Sequence, residues 1–408
     1  MWLPEDHFAW VVLDAVAQID LAAFYGAYRA DGHGRAAFDP GMVVAVLLYA
    51  YARGTRSSRA IERGCEEDVA YRVIAANQVP DHTTLARFRQ RHQDALAGLF
   101  GDVLGLCAQA GLVQVAVIAV DGTKVHANAS ERATCDYEQI AREVLADAEA
   151  VDRERTSATA RVAVTSCPSI WRPVKGGRSG WPKPSAASNS SVPRRPRPIP
   201  ASRRQRLRDA KRRLEEDLQT ECRANEAYET YRARGVMRNG RRMGSPPKPY
   251  TPPETPQGKI NTTDPDSRNV KTPRGWVQGY NAQAATNERQ IVIAAELTNS
   301  SADFGQVGPM VDASRRELCA AGVAETPQIV LADAGYWHQV QMQALAGAAL
   351  YGKRNAMIKP VFGHTKFNRK IDRFQRRGRA ACRSEWRLIT ATHNLLKLHQ
   401  EHLRLAAA

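Results

Sequence analysis

One stretch constrains this chain more than any other: Val115-Ala116-Val117-Ile118-Ala119-Val120-Asp121-Gly122-Thr123-Lys124-Val125. Small and β-branched apolar residues run straight into a carboxylate. Such a run, with no polar alternation, reads as a strand buried on both faces. The glycine after the aspartate lets the backbone turn or take φ > 0. Asp121 therefore stands where a central strand ends and its carboxylate can meet solvent. A second stretch, Gln328-Ile329-Val330-Leu331-Ala332-Asp333-Ala334-Gly335, repeats the pattern. Either aspartate alone is as readily a turn or a helix cap. The two together, each ending a buried strand and each followed by small residues that leave room for a ligand, point to a shared metal site on one edge of a sheet.

A chain of 408 residues is too long for one ordinary core and implies two or three domains. Its 58 Lys and Arg against 42 Asp and Glu leave a formal +16. That balance favours a polyanionic partner, and nucleic acid fits best, because neutralising phosphates releases counterions and gives affinity without sequence readout. A membrane surface is the rival. Against it, the sequence holds no basic amphipathic helix backed by aromatics and no apolar run long enough to span a bilayer. Met1 to His7 lack a basic region leading into an apolar core, so no signal peptide is expected. Cys65, Cys107, Cys135, Cys167, Cys222, Cys319 and Cys382 are scattered, odd in number and form no CxxC pair. They read as reduced thiols of a cytosolic protein.

Apolar residues at helical spacing from Phe8 to Tyr28 open the chain. Asp39-Pro40 then starts a helix that is apolar nearly all round and ends at Gly54. Short helices follow from Ser57-Ser58 to about Glu67 and over 68–76. Asp81 or Thr83 caps the next, whose first turns cluster Arg87, Arg89, Gln90 and Arg91. This arrangement reads as a helix-turn-helix with its last helix offered to a major groove, or as an amphipathic helix with a solvated basic face. The helix is expected to continue through Leu96 and Leu106 to Gly111. An acidic helix is expected over 136–155, and a charged one over 201–234. Between them, 156–200 are dominated by Pro, Ser, Gly and Arg and predict no packed core; 235–259 predict another disordered linker. Trp276 to Ala284 and Gln290 to Leu297 read as paired strands, followed by a helix over about 304–321 and the second aspartate strand at 328–332. Antiparallel strands, a helix and a further strand make an RNase H-like order if 131–259 is an insertion. The expected architecture is thus α/β: an all-α domain over 1–112, a mixed sheet with flanking helices over 113–130 and 260–400, and a partly disordered insertion.

At this point particular strings match a family. Asp39 to His92, Ala119 to Lys124, Asp264-Pro265-Asp266-Ser267-Arg268, Gln278-Gly279-Tyr280-Asn281-Ala282-Gln283-Ala284, Ala332 to Tyr336 and nearly all of 351–399 carry the resemblance. The most specific is Trp386-Arg387-Leu388-Ile389-Thr390-Ala391-Thr392-His393-Asn394-Leu395-Leu396-Lys397-Leu398. The sequence resembles bacterial insertion-sequence transposases of the DDE class, the group with a helical N-terminal domain and a Tyr-Arg-Glu-Lys signature. The resemblance implies an RNase H-like domain binding two Mg²⁺ (or Mn²⁺), roughly 3.5–4 Å apart, with Asp121 and Asp333 as the first and second acids. It implies double-stranded DNA as partner, both the element's terminal inverted repeats and the target. By analogy it also implies a homodimer in the bacterial cytoplasm, associated with the nucleoid. The signature maps onto Tyr351, Arg354 and Lys366, which are expected to contact DNA.

The third acid is where the chain departs from the family. The glutamate of the signature falls on Lys359, in Ile358-Lys359-Pro360-Val361-Phe362-Gly363. A cation there removes a ligand and adds repulsion: at ~4 Å and an effective dielectric near 20, about 4 kcal/mol per unit charge, and roughly twice that against a dication. Glu385 is the nearest glutamate further along and the candidate to substitute for it. The interval from Asp333 to Lys359 is also short for the family, with one helix expected over 338–349. Strand cleavage and transfer are therefore expected to be impaired, and the alternative is a remnant that binds DNA without cutting it.

Overall fold

The computed structural model describes residues 2–28, 37–165, 202–234, 237–238, 241–242, 248–273, 275–336 and 348–407. The chain divides into two units, Met1–Ala133 with Thr263–Ala408, and Thr134–Thr262. The first begins with helices. The helical pattern expected from Phe8 to Tyr28 is broken in two, α1 (Phe8–Gln18) and α2 (Ala22–Tyr25), because the Asp20 carboxylate takes the Ala22 N–H (2.8 Å) and starts a new element. Helix α3 (Pro40–Ala52) carries Asp39 as its cap, accepting from Met42 N at 2.8 Å. It is buried along its whole length from Val43 to Ala52, as its uniform apolarity requires. Next come α4 (Ser58–Glu67), α5 (Val69–Ile74) and α6 (His82–Arg91), the last capped by Asp81. The continuous helix expected from here to Gly111 is interrupted at His92, where φ −104° and ψ 31° leave the helical region. The ring at that break packs on Phe24 and Phe88. Helix α7 (Gln93–Gln109) then leads to β1 (Val117–His126).

The second unit is a helix pair with small strands. Strand β2 (Thr134–Asp136) precedes α8 (Tyr137–Thr165), and α9 (Arg203–Arg234) precedes β3 (Met237–Arg238), β4 (Arg241–Arg242) and β5 (Lys259–Asn261). Ile140, Leu207, Ala210, Leu214 and Ile260 form its core. Acidic α8 meets basic α9 through Arg203–Glu143 at 2.8 Å and Arg204–Asp147 at 3.6 Å, exposed pairs worth little each. Two expectations are corrected here. Helix α8 runs on to Thr165, past 155, because neither Pro nor Gly intervenes before Pro168. The stretch 235–259 holds the β3–β4 hairpin and the start of β5, which pairs antiparallel with β2. The rest of the Pro- and Arg-rich stretch, 166–201, lies outside the described residues, as does most of the helix expected over 338–349.

Five strands make the mixed sheet of the first unit. Besides β1 they are β6 (Arg268–Thr272), β7 (Gly275–Thr286), β8 (Val292–Thr298) and β9 (Ile329–Leu331). The long β7 pairs antiparallel with β1 along one edge. Along the other it pairs with β6 through its first half and with β8 through its second. Strand β9 lies parallel to β1, a pairing that demands a crossover, which α10 (Val307–Ala320) supplies. Ile118, Val120 and Ile293 meet Met310, Ala313 and Leu318 of α10 on one face. The other face packs Ala119, Ala282, Ala284 and Ala295 with the N-terminal helices, α11 (Ala348–Gly363) and α12 (Arg379–Ala406). A π-helical turn, His364–Asn368, follows α11. The family-like string on α12 explains itself here. Trp386 is fully buried and donates to Gln283 O (2.9 Å), and the Asn394 amide pairs with both Val292 N and Val292 O at 2.8 Å. Among the described residues no helix is long and apolar enough to cross a membrane.

Candidate active site

Strand register brings the two aspartates together. Ala119 of β1 stands opposite Leu331 of parallel β9, and two residues further along each chain come Asp121 and Asp333. In parallel neighbours, equal offsets from a paired position keep both side chains on one face. Arg354, on α11, confirms the meeting: its Nη2 lies 3.0 Å from Asp121 Oδ2 and 3.4 Å from Asp333 Oδ2. The guanidinium is buried, the Asp121 carboxylate mostly so, and the Asp333 carboxylate is 53% exposed. Burial pushes the Asp121 carboxyl above its ordinary range; Arg354 and the Gly122 N–H, which donates to Oδ1 at 2.9 Å, pull it down, and Asp303 and Asp333 push it up again.

The face of β1 behind Asp121 is also polar. Gly122 stands against Gln283, Asp303 and Asn281, and a Cβ at this position would lie 2.6 Å from Asp303 Oδ1 and 2.7 Å from Asn281 Oδ1. Asp303 Oδ1 accepts from Asn281 Nδ2 (2.7 Å), Gln283 Nε2 (2.8 Å) and Lys124 Nζ (3.1 Å). Tyr336, three residues after Asp333, is buried and donates its hydroxyl to Gln283 Oε1 at 2.5 Å.

The other residues singled out from the sequence fall in different places. Glu385 is buried on α12, paired with Arg56 at 2.8 Å, and accepts the backbone N–H groups of Gln375 (3.0 Å) and Arg376 (3.0 Å). Its oxygens are committed to holding that turn. Arg89 is buried too, donating to Tyr51 Oη (3.1 Å), Arg56 O (2.7 Å) and Ser58. Arg87, Gln90 and Arg91 remain exposed on α6, with the Arg91 guanidinium over the Tyr28 ring at 5.6 Å. Lys366, in the π-helical turn, donates to Lys124 O at 2.6 Å, and burial pulls its amine down. Lys359 is exposed on α11. Tyr351 lies on the same helix, and its side chain is outside the described residues.

In the sequence Gln283 and Tyr336 stand only within family-like strings, with no role assigned to them, and Asp303 is not singled out at all. A signal existed for Gln283: with Asn281 it places amides at alternate positions of an otherwise apolar strand, hence on one face. Asp303, in a loop, had none.

Two carboxylates converging on one buried cation offer the hard oxygen donors that Mg²⁺ or Mn²⁺ requires, and the guanidinium marks where positive charge is accommodated. Among the described residues no group of three or more His, Cys, Asp or Glu closes on a common point. Asp121 and Asp333 would therefore supply two carboxylate donors and no third from the described residues.

Residues 1–91 match the family described as Transposase domain (DUF772), and residues 322–399, which carry Asp333, Arg354 and the α12 string, match the family described as Transposase DDE domain. No curated protein and no solved structure matches the chain. With transposase-domain matches over 1–91 and 322–399, the chain is similar to insertion-sequence transposases of the DDE class.

Proposed function

We propose that this chain acts as a transposase through Asp121 and Asp333, which would hold Mg²⁺ or Mn²⁺ against a DNA phosphodiester for hydrolysis and strand transfer at the ends of its element. The observation that carries this reading is the convergence of both carboxylates on Arg354 Nη2, at 3.0 and 3.4 Å. Bound metal would supply Lewis acidity at the scissile phosphate and activation of the attacking water or 3′-OH. Asp121 and Asp333 supply the oxygen donors, and Arg354 offsets their charge when the site is not loaded. The antiparallel strands, crossover helix and parallel strand support an RNase H-like reading of the sheet. Helices α4 to α6 are read as the DNA-binding element, with Arg87, Gln90 and Arg91 as its contacts, because these three are exposed. Arg89 belongs to the interior of that element. A net charge of +16 favours the phosphate backbone as partner. Assembly as a homodimer on paired element ends belongs to the same reading.

A second reading has its own observation. Lys359 occupies the signature's acid position, and Glu385, the candidate substitute, is engaged by Arg56 and two backbone amides. On this reading the chain binds DNA and cuts it slowly or not at all. One assay separates the two: nicking of a supercoiled plasmid carrying the element's ends, in Mg²⁺ and in Mn²⁺. Metal-dependent nicking abolished by Asp121→Asn supports the first reading. Salt-sensitive binding without nicking, unchanged by Asp121→Asn, supports the second. Nicking restored by Lys359→Glu alone would make that one substitution the lesion.

A further inference from the structure

Asp333 needs more to hold it than its ion pair. Its carboxylate is half exposed, and it follows a strand of only three residues, Ile329–Leu331. Charge attraction to Arg354 at 3.4 Å is partly screened there and orients weakly. The backbone after Asp333 turns at once through Ala334–Tyr336, with Tyr336 N donating to Asp333 O at 2.9 Å. The side chain of Tyr336 is 2% exposed and reaches under the sheet to Gln283 Oε1. Gln283 in turn is fixed through its other amide atom by Asp303, which also takes Asn281 and Lys124. Lys366 closes the far end of the chain of contacts on Lys124 O. Strand β7, which carries Gln283 and Asn281, is the antiparallel partner of β1, with Gly122 directly opposite Gln283. One network therefore ties the turn after Asp333 to the strand pair that carries Asp121. It runs on the face of the sheet opposite the carboxylates.

We propose that Tyr336 and Gln283, backed by Asp303, are positioning residues that hold Asp333 in register with Asp121. The proposal deepens the reading of the two aspartates as a metal site and rests on it for its first readout only. A buried amide that both accepts from a phenol and donates to a carboxylate has one orientation, so the network has no slack to absorb a shift of the turn. Supporting groups of this kind around metal-binding carboxylates alter affinity by about 10–100-fold when removed.

The test uses the full-length protein and two independent measurements: Mn²⁺ affinity, read by electron paramagnetic resonance, and amide hydrogen exchange. Tyr336→Phe deletes one hydroxyl and keeps the ring. It is expected to weaken Mn²⁺ binding about tenfold or more and to speed exchange across 332–336 by a similar factor, with exchange across β1 unchanged. Gln283→Glu places two carboxylates face to face and is expected to do the same. Adding Asp303→Asn restores a donor to that glutamate and is expected to recover both readouts. Unchanged exchange across 332–336 in Tyr336→Phe would overturn the proposal, as would failure of the double variant to recover. If the wild-type protein binds no Mn²⁺, the metal-site reading fails, and the exchange data still decide whether Tyr336 holds the turn.

Discussion

Ala119 and Leu331 face each other across the parallel pair of β1 and β9, and that one pairing places the two aspartates side by side. A slip of one residue would send Asp333 to the opposite face, because side chains alternate with period two. The apolar residues around the pairing resist such a slip: Ile118, Ala119 and Val120 are fully buried, and Leu331 is 6% exposed.

Arg354 and Asp121 are expected to be energetically coupled. Each partner is largely buried, so removing one leaves the other's charge poorly compensated. A double-mutant cycle with Arg354→Gln and Asp121→Asn is expected to give a favourable coupling of about 1–3 kcal/mol, read by chemical denaturation of the four proteins. Additive single effects would mean that the ion pair contributes nothing to the fold.

Glu385→Gln is expected to cost about 3–5 kcal/mol, because Arg56 is left with an uncompensated buried charge. Mn²⁺ affinity of the folded variant is expected to match the wild type, since the carboxylate is occupied by Arg56, Gln375 and Arg376. A drop in that affinity would restore Glu385 as the third acid.

Gly122→Ala is expected to destabilise by about 1–3 kcal/mol, the usual cost of overpacking. The new methyl would crowd Asp303 Oδ1 and Asn281 Oδ1 at 2.6 and 2.7 Å, side-chain ends that can yield only by breaking the hydrogen bonds Asp303 accepts from Asn281 and Gln283. Thermal unfolding measures the change, and a melting temperature equal to the wild type would contradict the close approach.

Acid sensitivity is expected from His393. Burial, and then the charge of Arg369, push its imidazole down from 6.5 to about 3. The unfolded chain takes up a proton below about pH 6.5 that the folded chain refuses until about 3, so the unfolded state binds more protons in that window. Stability contributed by this residue is therefore lost as pH falls from about 6.5 to about 3, by up to roughly 1.4 kcal/mol per pH unit. Replacing it, as in His393→Gln, should flatten melting temperature against pH across this window.

Much of the first unit is visible in linear order. Uniform apolarity marks α3 and β1 as buried, and Asp39 and Asp81 cap the helices they precede. Strand β6 was missed, since Arg268-Asn269-Val270-Lys271-Thr272 is polar and buries only Val270 among these five. A strand with one buried side chain leaves no periodic trace. Arg89 shows the same limit on a helix: it reads as part of a basic surface with Arg87 and Arg91, yet it turns inward to Tyr51 and Arg56.

What the linear order determined is which buried apolar runs lead into carboxylates, because hydrophobic periodicity and capping are properties of neighbouring residues. It misplaced the end of β1, which runs on through Asp121 and Gly122 to His126 because β7 stays paired with it. Tertiary structure alone decided which partner each polar group finds. Arg354 reaches Asp121 across 233 positions and Arg56 reaches Glu385 across 329. Such pairings depend on how distant segments stack, and a charge carries no mark in its own neighbourhood of the residue that will neutralise it.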